Sequence, residues 1–215
     1  MLKHRTEKEG GSMDRVLYYV ADPMCSWCWG FHPVLEKVKE VLPDGISPVY
    51  VMGGLARDSD EPMPEEVRAY VQNAWREVKV RTGASFNLGF WEKCEPRRCT
   101  YPSCRAFYAA QEQAAGVVMF EAIQRAYYQE ARNPSDVETL IALAGENGLD
   151  ADRFACDLAS DEIEQMMQDG FNVRRSMNAN QFPSLVVREG EDVVFVTRGY
   201  DDAESVLAQL RSALA

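Results

Sequence analysis

Two cysteines set three apart, in Cys25-Ser26-Trp27-Cys28, are the residues of this sequence best suited to chemistry. A thiolate attacks a disulfide sulfur, and a neighbouring thiol then resolves the mixed disulfide. The pair follows an apolar run, Arg15 to Ala21, and opens a helical pattern. Unpaired N–H groups and the positive end of the helix dipole favour negative charge at such a place, which suits a reactive thiolate. The second cysteine lies about one turn along, close enough to form a disulfide with the first. Cys25 is therefore expected to be the exposed, attacking thiol and Cys28 the resolving, more buried one. Half a zinc site is the competing reading of a lone pair of this kind. It would need further ligands, and His32 is the only histidine near.

Other reactive types surround this pair. Cys94, Cys99 and Cys104 are spaced by five. They read first as packing thiols, since free cysteine often behaves as a small hydrophobe. Their alternatives are an auxiliary redox group relaying electrons to Cys25 and Cys28, or a zinc site completed by Cys156. Cys104 opens a helix, so acidification of its thiol is expected, whereas Cys156 is expected to be buried. Trp27, Trp29, Phe31, Phe86, Phe90, Trp91 and Phe182 lie near the motifs. An aromatic groove would suit extended peptides, with Phe31 and Phe90 expected in the core. His32, two turns beyond Cys25, reads as a packing residue rather than a base. Asp22 reads as a turn former, with like-charge repulsion on Cys25 as its alternative role.

The elements that must hold these residues follow from periodicity. Residues 15–21 read as a buried strand and Cys25–Leu42 as a helix, with Phe31, Val34, Leu35, Val38 and Val41 on one face. Residues 47–52 read as a second strand, reached through the stop signal Pro43-Asp44-Gly45. Helical patterns then cover 64–81, 103–115, 117–130, 135–146, 151–159 and 161–177, with an irregular stretch at 82–102. Residues 183–188 and 193–197 read as a hairpin around a turn at 189–192, followed by a helix over 201–215. The order β-α-β, helical block, β-β-α predicts an α/β fold. A discontinuous sheet domain, 14–62 and 178–215, would carry an all-helical insertion domain at 63–177.

The chain has 215 residues, of which 46% are hydrophobic and 27% charged, an ordinary globular balance. Its net charge of −11 argues against nucleic acid or an anionic membrane as the partner. No apolar run reaches the ~18 residues of a membrane span, and residues 1–12 lack a secretory pattern. A cytoplasmic protein with reduced thiols is expected, with 1–12 as a flexible leader or an appended remnant.

The strand–Cys25-Ser26-Trp27-Cys28–helix arrangement, with Phe182-Pro183-Ser184-Leu185-Val186-Val187 far downstream, resembles the thioredoxin-fold oxidoreductases. The long helical insertion resembles their DsbA-type branch, in particular cytoplasmic members labelled predicted protein-disulfide isomerases. Residues 22–31, DPMCSWCWGF, and 96–106, PRRCTYPSCRA, are similar to that subgroup, and the resemblance covers residues 14–215. It implies a thioredoxin-like fold and a thiol–disulfide oxidoreductase or isomerase acting on protein or peptide disulfides. Cys25 and Cys28 would be catalytic, with Ser26, Trp27, Phe182 and Pro183 in the active-site loops. It further implies that Phe182–Pro183 is a cis bond facing the dithiol. From the residues alone, a trans proline starting a strand is the favoured reading.

No bound cofactor and no metal are needed for this chemistry, and glutathione or a thioredoxin-type protein would recycle the dithiol. Ser26-Trp27 replaces the Gly-Pro of thioredoxins and the Pro-His of periplasmic DsbA, so the direction of catalysis does not carry over. Tyr19 stands six positions before Cys25, where many relatives keep an acid. Two alternatives remain open. One is a glutathione-dependent transferase or isomerase on the same scaffold, although those relatives place serine where Cys25 stands. The other is a metal- or redox-sensing module.

Overall fold

The computed structural model describes residues 15–43 and 45–215. The expectations for residues 1–12, and Asp44 of the turn after the first helix, lie outside these. Strand β1 (Arg15–Ala21), helix α1 (Ser26–Val41) and strand β2 (Val49–Met52) form the predicted β-α-β start. Strands β3 (Ser184–Glu189) and β4 (Asp192–Arg198) and helix α9 (Ala203–Leu214) form the predicted end. Between them run α2 (Glu65–Thr82), α3 (Phe90–Lys93), α4 (Tyr101–Gln111), α5 (Gly116–Tyr128), α6 (Val137–Glu146), α7 (Ala151–Leu158) and α8 (Asp161–Ser176). The fold is thioredoxin-like with a helical insertion.

The sheet has the order β2-β1-β3-β4, with β1 parallel to β2 and antiparallel to β3. Alternation along the strands buries both faces. Leu17 and Tyr19 of β1, with Leu185 and Val187 of β3, face the large cluster that includes α1. Val20 and Val186 face a smaller cluster with Met177 and Ala179. The large cluster continues without a break into Phe107, Met119 and Leu140 of the inserted helices. Helix α1 contributes Phe31, Val34, Leu35 and Val38 to it, the face predicted from the periodicity, whereas Val41 is exposed.

Register places the chemistry. Val20 lies opposite Ser184 in the β1–β3 pairing. The end of β1, from which the Cys25 turn departs, therefore lies beside the start of β3 and its preceding Pro183.

Local differences from the sequence reading have simple causes. Strand β2 begins at Val49 rather than residue 47, because Pro48 has no N–H to give a ladder. Helix α4 begins at Tyr101, two residues earlier than expected, since Pro102 sits in the first turn where no N–H partner is required. The stretch 82–102 is not wholly irregular. The Asn87 side chain accepts from Gly89 N at 3.0 Å and introduces the short α3. That helix drives Phe90 and Trp91 into an aromatic cluster around Trp75. The β3–β4 turn contracts to Gly190-Glu191, with Gly190 at φ 60°.

Gly30 sets the approach of α2 to α1. A Cβ there would lie 2.8 Å from Val78 Cγ1 and 2.9 Å from Thr82 Cγ2. Alanine at a helix interior gains about 1 kcal/mol of propensity. Forcing a methyl against the buried, stiff Val78 costs about 1–3 kcal/mol, and more than one atom is in the way. Gly30→Ala is therefore expected to lower the urea midpoint at unchanged slope. A raised midpoint would show that α2 yields freely.

Candidate active site

Cys25 is the N-cap of α1, and its backbone N–H donates to Asp22 O at 3.0 Å. Its Sγ accepts from Cys28 N at 3.4 Å, as an N-cap acceptor does, and donates to Phe182 O at 3.7 Å. The Phe182–Pro183 bond is cis. The proline loop thus faces the first cysteine, as the resemblance implies. Cys25 is 6% exposed and Cys28 1%. The expected order of accessibility holds, but Cys25 is not an exposed thiol, because the 182–183 loop packs against its sulfur. Burial pushes the Cys28 thiol well up, and the hydrogen bond and charge of Cys25 add to this.

Beneath the pair, Asp22 does more than form a turn. It is fully buried. Its Oδ1 accepts from Met24 N at 2.9 Å, the Asx-turn contact expected of a turn former. Its Oδ2 accepts from Leu55 N and Thr100 Oγ1, each at 2.8 Å, and from Cys104 Sγ at 3.7 Å. One carboxylate so joins the β1–α1 turn, the segment after β2 and the start of α4. Burial raises its pKa, opposed by the donors from Leu55, Met24 and Thr100. Thr100 and Leu55 carried no signal in the sequence, because their role exists only through this contact. Tyr19 is also fully buried, and burial, with the neighbouring Cys28 next in weight, pushes its hydroxyl well up.

The remaining cysteines separate. Cys94 Sγ donates to Ala131 O at 3.2 Å, Cys99 Sγ reaches Asp58 Oδ1 at 3.9 Å, and Cys104 faces Asp22. Cys104 is not acidified. Burial first, then the Asp22 charge, push its thiol well above the ordinary value, which outweighs its place near a helix start. Burial also raises Cys94 and Cys99. Cys156 is exposed, not buried as expected. Helix α7 buries Phe154 and Leu158, a stripe one turn apart, and Cys156 lies on the opposite side. Among the described residues, no potential metal-holding group of three or more side chains includes a cysteine. His32, Glu36 and Glu121 do bring ligand atoms within 4.8 Å of one another, but Glu36 is engaged by Lys39 Nζ at 2.7 Å.

The aromatic residues divide between core and surface. Phe31, Phe90 and Trp91 are core, and Phe86 packs on the Trp75 cluster. Trp29 Nε1 donates to Ser85 O at 3.0 Å and its ring stacks on Tyr128, 5.6 Å between centroids. Trp27 and Phe182 alone of the seven line a groove of about 960 Å3 beside the dithiol. Tyr200, from the β4–α9 connection, packs 5.6 Å from Trp27, and Arg76, Glu77 and Arg81 of α2 form the far wall. The Phe182 ring rests on Gly53, where a Cβ would lie 2.7 Å from it. Gly53 could have been suspected from its place after β2; the α2 residues could not.

Among the described residues, no helix is long and apolar enough to cross a membrane.

Comparison with known proteins agrees with the fold. A family model described as thioredoxin matches residues 18–206. A protein from Nitrosomonas europaea, provisionally named a protein disulfide isomerase, superposes with TM-score 0.82 at 33% identity, covering 93% of this chain and 97% of that one. The cytosolic disulfide reductase DsbM from Pseudomonas aeruginosa, solved with GSH, gives TM-score 0.73 at 22% identity over 93% of this chain and 98% of that one. Among curated proteins, the ClpXP adapter protein SpxH of Bacillus subtilis is 25% identical over 90% of this chain and 67% of its own length. This chain spans 57–67% of the length of the curated relatives it matches. The chain belongs to the thioredoxin family.

Proposed function

We propose that this protein is a thiol–disulfide oxidoreductase acting on protein or peptide disulfides, with Cys25 attacking and Cys28 resolving. One observation carries the reading. Cys25 caps α1 with its sulfur 3.7 Å from the carbonyl that precedes the cis-proline, and Cys28 is buried beneath it. A thiolate there accepts the Cys28 N–H at a helix N-terminus, where negative charge is favoured. An extended substrate can pair with the backbone before Pro183 and present its sulfur to Cys25. In this reading a discontinuous thioredoxin-like domain, 14–62 and 178–215, carries the dithiol and the cis-proline loop, and 63–177 is its helical insertion domain. The raised thiols and separate partners of Cys94, Cys99 and Cys104 favour packing roles for them.

Redox titration of the wild type against glutathione buffers, followed by thiol counting, tests the reading. The wild type is expected to gain and lose one disulfide, and Cys25→Ser none. A midpoint near ~−270 mV would make it a reductase and one near ~−120 mV an oxidant. Absence of any exchange at Cys25 would remove the proposal. A cytoplasmic setting with reduced thiols is part of the same reading.

A second reading has its own support in the SpxH match over 90% of this chain. As an adapter, the protein would bind ClpXP and a client whether or not Cys25 is present. Unchanged client delivery by Cys25→Ser would favour it.

A further inference from the structure

Away from the dithiol, one group of side chains brings metal-binding atoms together. His32 and Glu36 stand one turn apart on α1 and share a face of that helix. Glu121 reaches them from α5. The ligand atoms of all three lie within 4.8 Å of one another, and all three side chains are half-buried. In a chain with 34 acidic residues, this is the only such group of three or more among the described residues. It contains His32, one of two histidines in the chain.

Helix α5 supplies a second, independent observation. Glu121, Gln124 and Tyr128 follow the i, i+3, i+7 spacing of one helix stripe. Tyr128 stacks on Trp29 of α1 at 5.6 Å, and Trp29 stacks on His32 at 6.5 Å. The stripe therefore faces the side of α1 that carries His32. Gln124, between Glu121 and Tyr128, is 1% exposed, and its Nε2 has no hydrogen-bond partner. Buried donors are nearly always paired, so an orphan of this kind needs a reason. A ligating carboxylate commonly has an outer donor that orients it.

We propose that His32, Glu36 and Glu121 form a site for a divalent first-row cation, Zn2+ in particular, and that Gln124 orients Glu121. The cation would tie the helix of the dithiol to an inserted helix. The site does not depend on the oxidoreductase reading. One imidazole and two carboxylates suit Zn2+, with a fourth position open to water. Bonds of about 2.0–2.2 Å place the ligand atoms of a tetrahedral site about 3.4 Å apart. Rotation of half-buried side chains closes the remaining gap. Lys39 is the competitor. Its Nζ holds Glu36 Oε1 at 2.7 Å and lies 5.8 Å from the centre of the Tyr50 ring. A doubly charged ion with ligands from two helices displaces this partly exposed pair, which is worth little by itself.

Titration of the full chain carrying Cys25→Ser and Cys28→Ser tests this, since the dithiol is then gone as a rival ligand. Zn2+ is followed by calorimetry and Co2+ by absorption. One ion per chain is expected, and Co2+ should show weak visible bands without the intense near-ultraviolet band of thiolate ligation. In that background His32→Gln and Glu121→Gln should each weaken Zn2+ binding at least about a hundredfold. Gln124→Leu should weaken it about tenfold, as loss of an outer donor does. Lys39→Met should tighten it about twofold to fivefold. His4→Gln should leave it unchanged. Zn2+ should raise the thermal midpoint of the parent chain and not that of its Glu121→Gln variant. Binding as tight in His32→Gln and Glu121→Gln as in the parent would overturn the site. A thiolate band with Co2+, or no binding at millimolar ion, would overturn it as well.

Discussion

Cys28→Ser is expected to halt the protein at the mixed disulfide, with substrate held covalently on Cys25. The reason lies in the division between the sulfurs. Cys25 lies under the cis-proline loop at the helix cap, whereas Cys28 is buried below it with its thiol pushed well up. Without Cys28, nothing in the protein attacks the Cys25–substrate bond. Mass spectrometry without reductant should show one adduct per chain in Cys28→Ser and none in Cys25→Ser. Turnover should fall by at least about a thousandfold in both, since the thiolate is the reacting species.

The same geometry gives a pH dependence. A thiol with a raised pKa is mostly protonated near neutrality. Resolution by Cys28 should therefore quicken as pH rises, by about tenfold per unit below that pKa. A pH-independent resolution rate, or no adduct in Cys28→Ser, would assign the resolving step elsewhere.

The second large effect concerns Asp22. Asp22→Ala removes the acceptor for Leu55 N, Met24 N and the Thr100 hydroxyl at once. Each stranded buried donor costs about 1–3 kcal/mol. A loss of about 3–5 kcal/mol in urea unfolding at pH 7 is expected, a large part of the stability of an ordinary domain.

The pH dependence of stability distinguishes burial of a carboxyl from its hydrogen bonding. Because burial wins and the folded-state pKa is raised, the folded protein holds this proton more tightly than the unfolded chain. Stability attributable to Asp22 is therefore greatest below the ordinary carboxylate pKa. It falls as pH rises through the raised value, then levels off. Asp22→Asn should flatten that segment while losing fewer contacts than alanine. A wild-type contribution that grows with pH across the same window would mean that the donors outweigh burial.

The dithiol, its place between a strand and a helix, and the order of elements were legible from residues alone. These depend on local rules: β-branched and aromatic runs, an i, i+3, i+4 stripe, and proline and glycine stops. The cis bond at Pro183 and the active-site loop of Ser26, Trp27, Phe182 and Pro183 came from the resemblance rather than from periodicity. Errors arose where a local rule met tertiary burial. Cys104, at a helix start, suggested an acidified thiol, but a buried carboxylate beside it reversed the expectation. Cys156 suggested core, but a one-stripe helix turned it outward.

The sequence by itself thus determined which atoms could react and which elements would carry them, because both follow from neighbours along the chain. The tertiary structure alone decided what surrounds them. Asp22 meets Thr100, 78 positions away, and Cys25 meets Phe182, 157 positions away. Arg76 and Arg81 are opposite Trp27 only because Gly30 lets α2 settle on α1. Contacts at such separations come from packing of finished elements, and no local pattern encodes them.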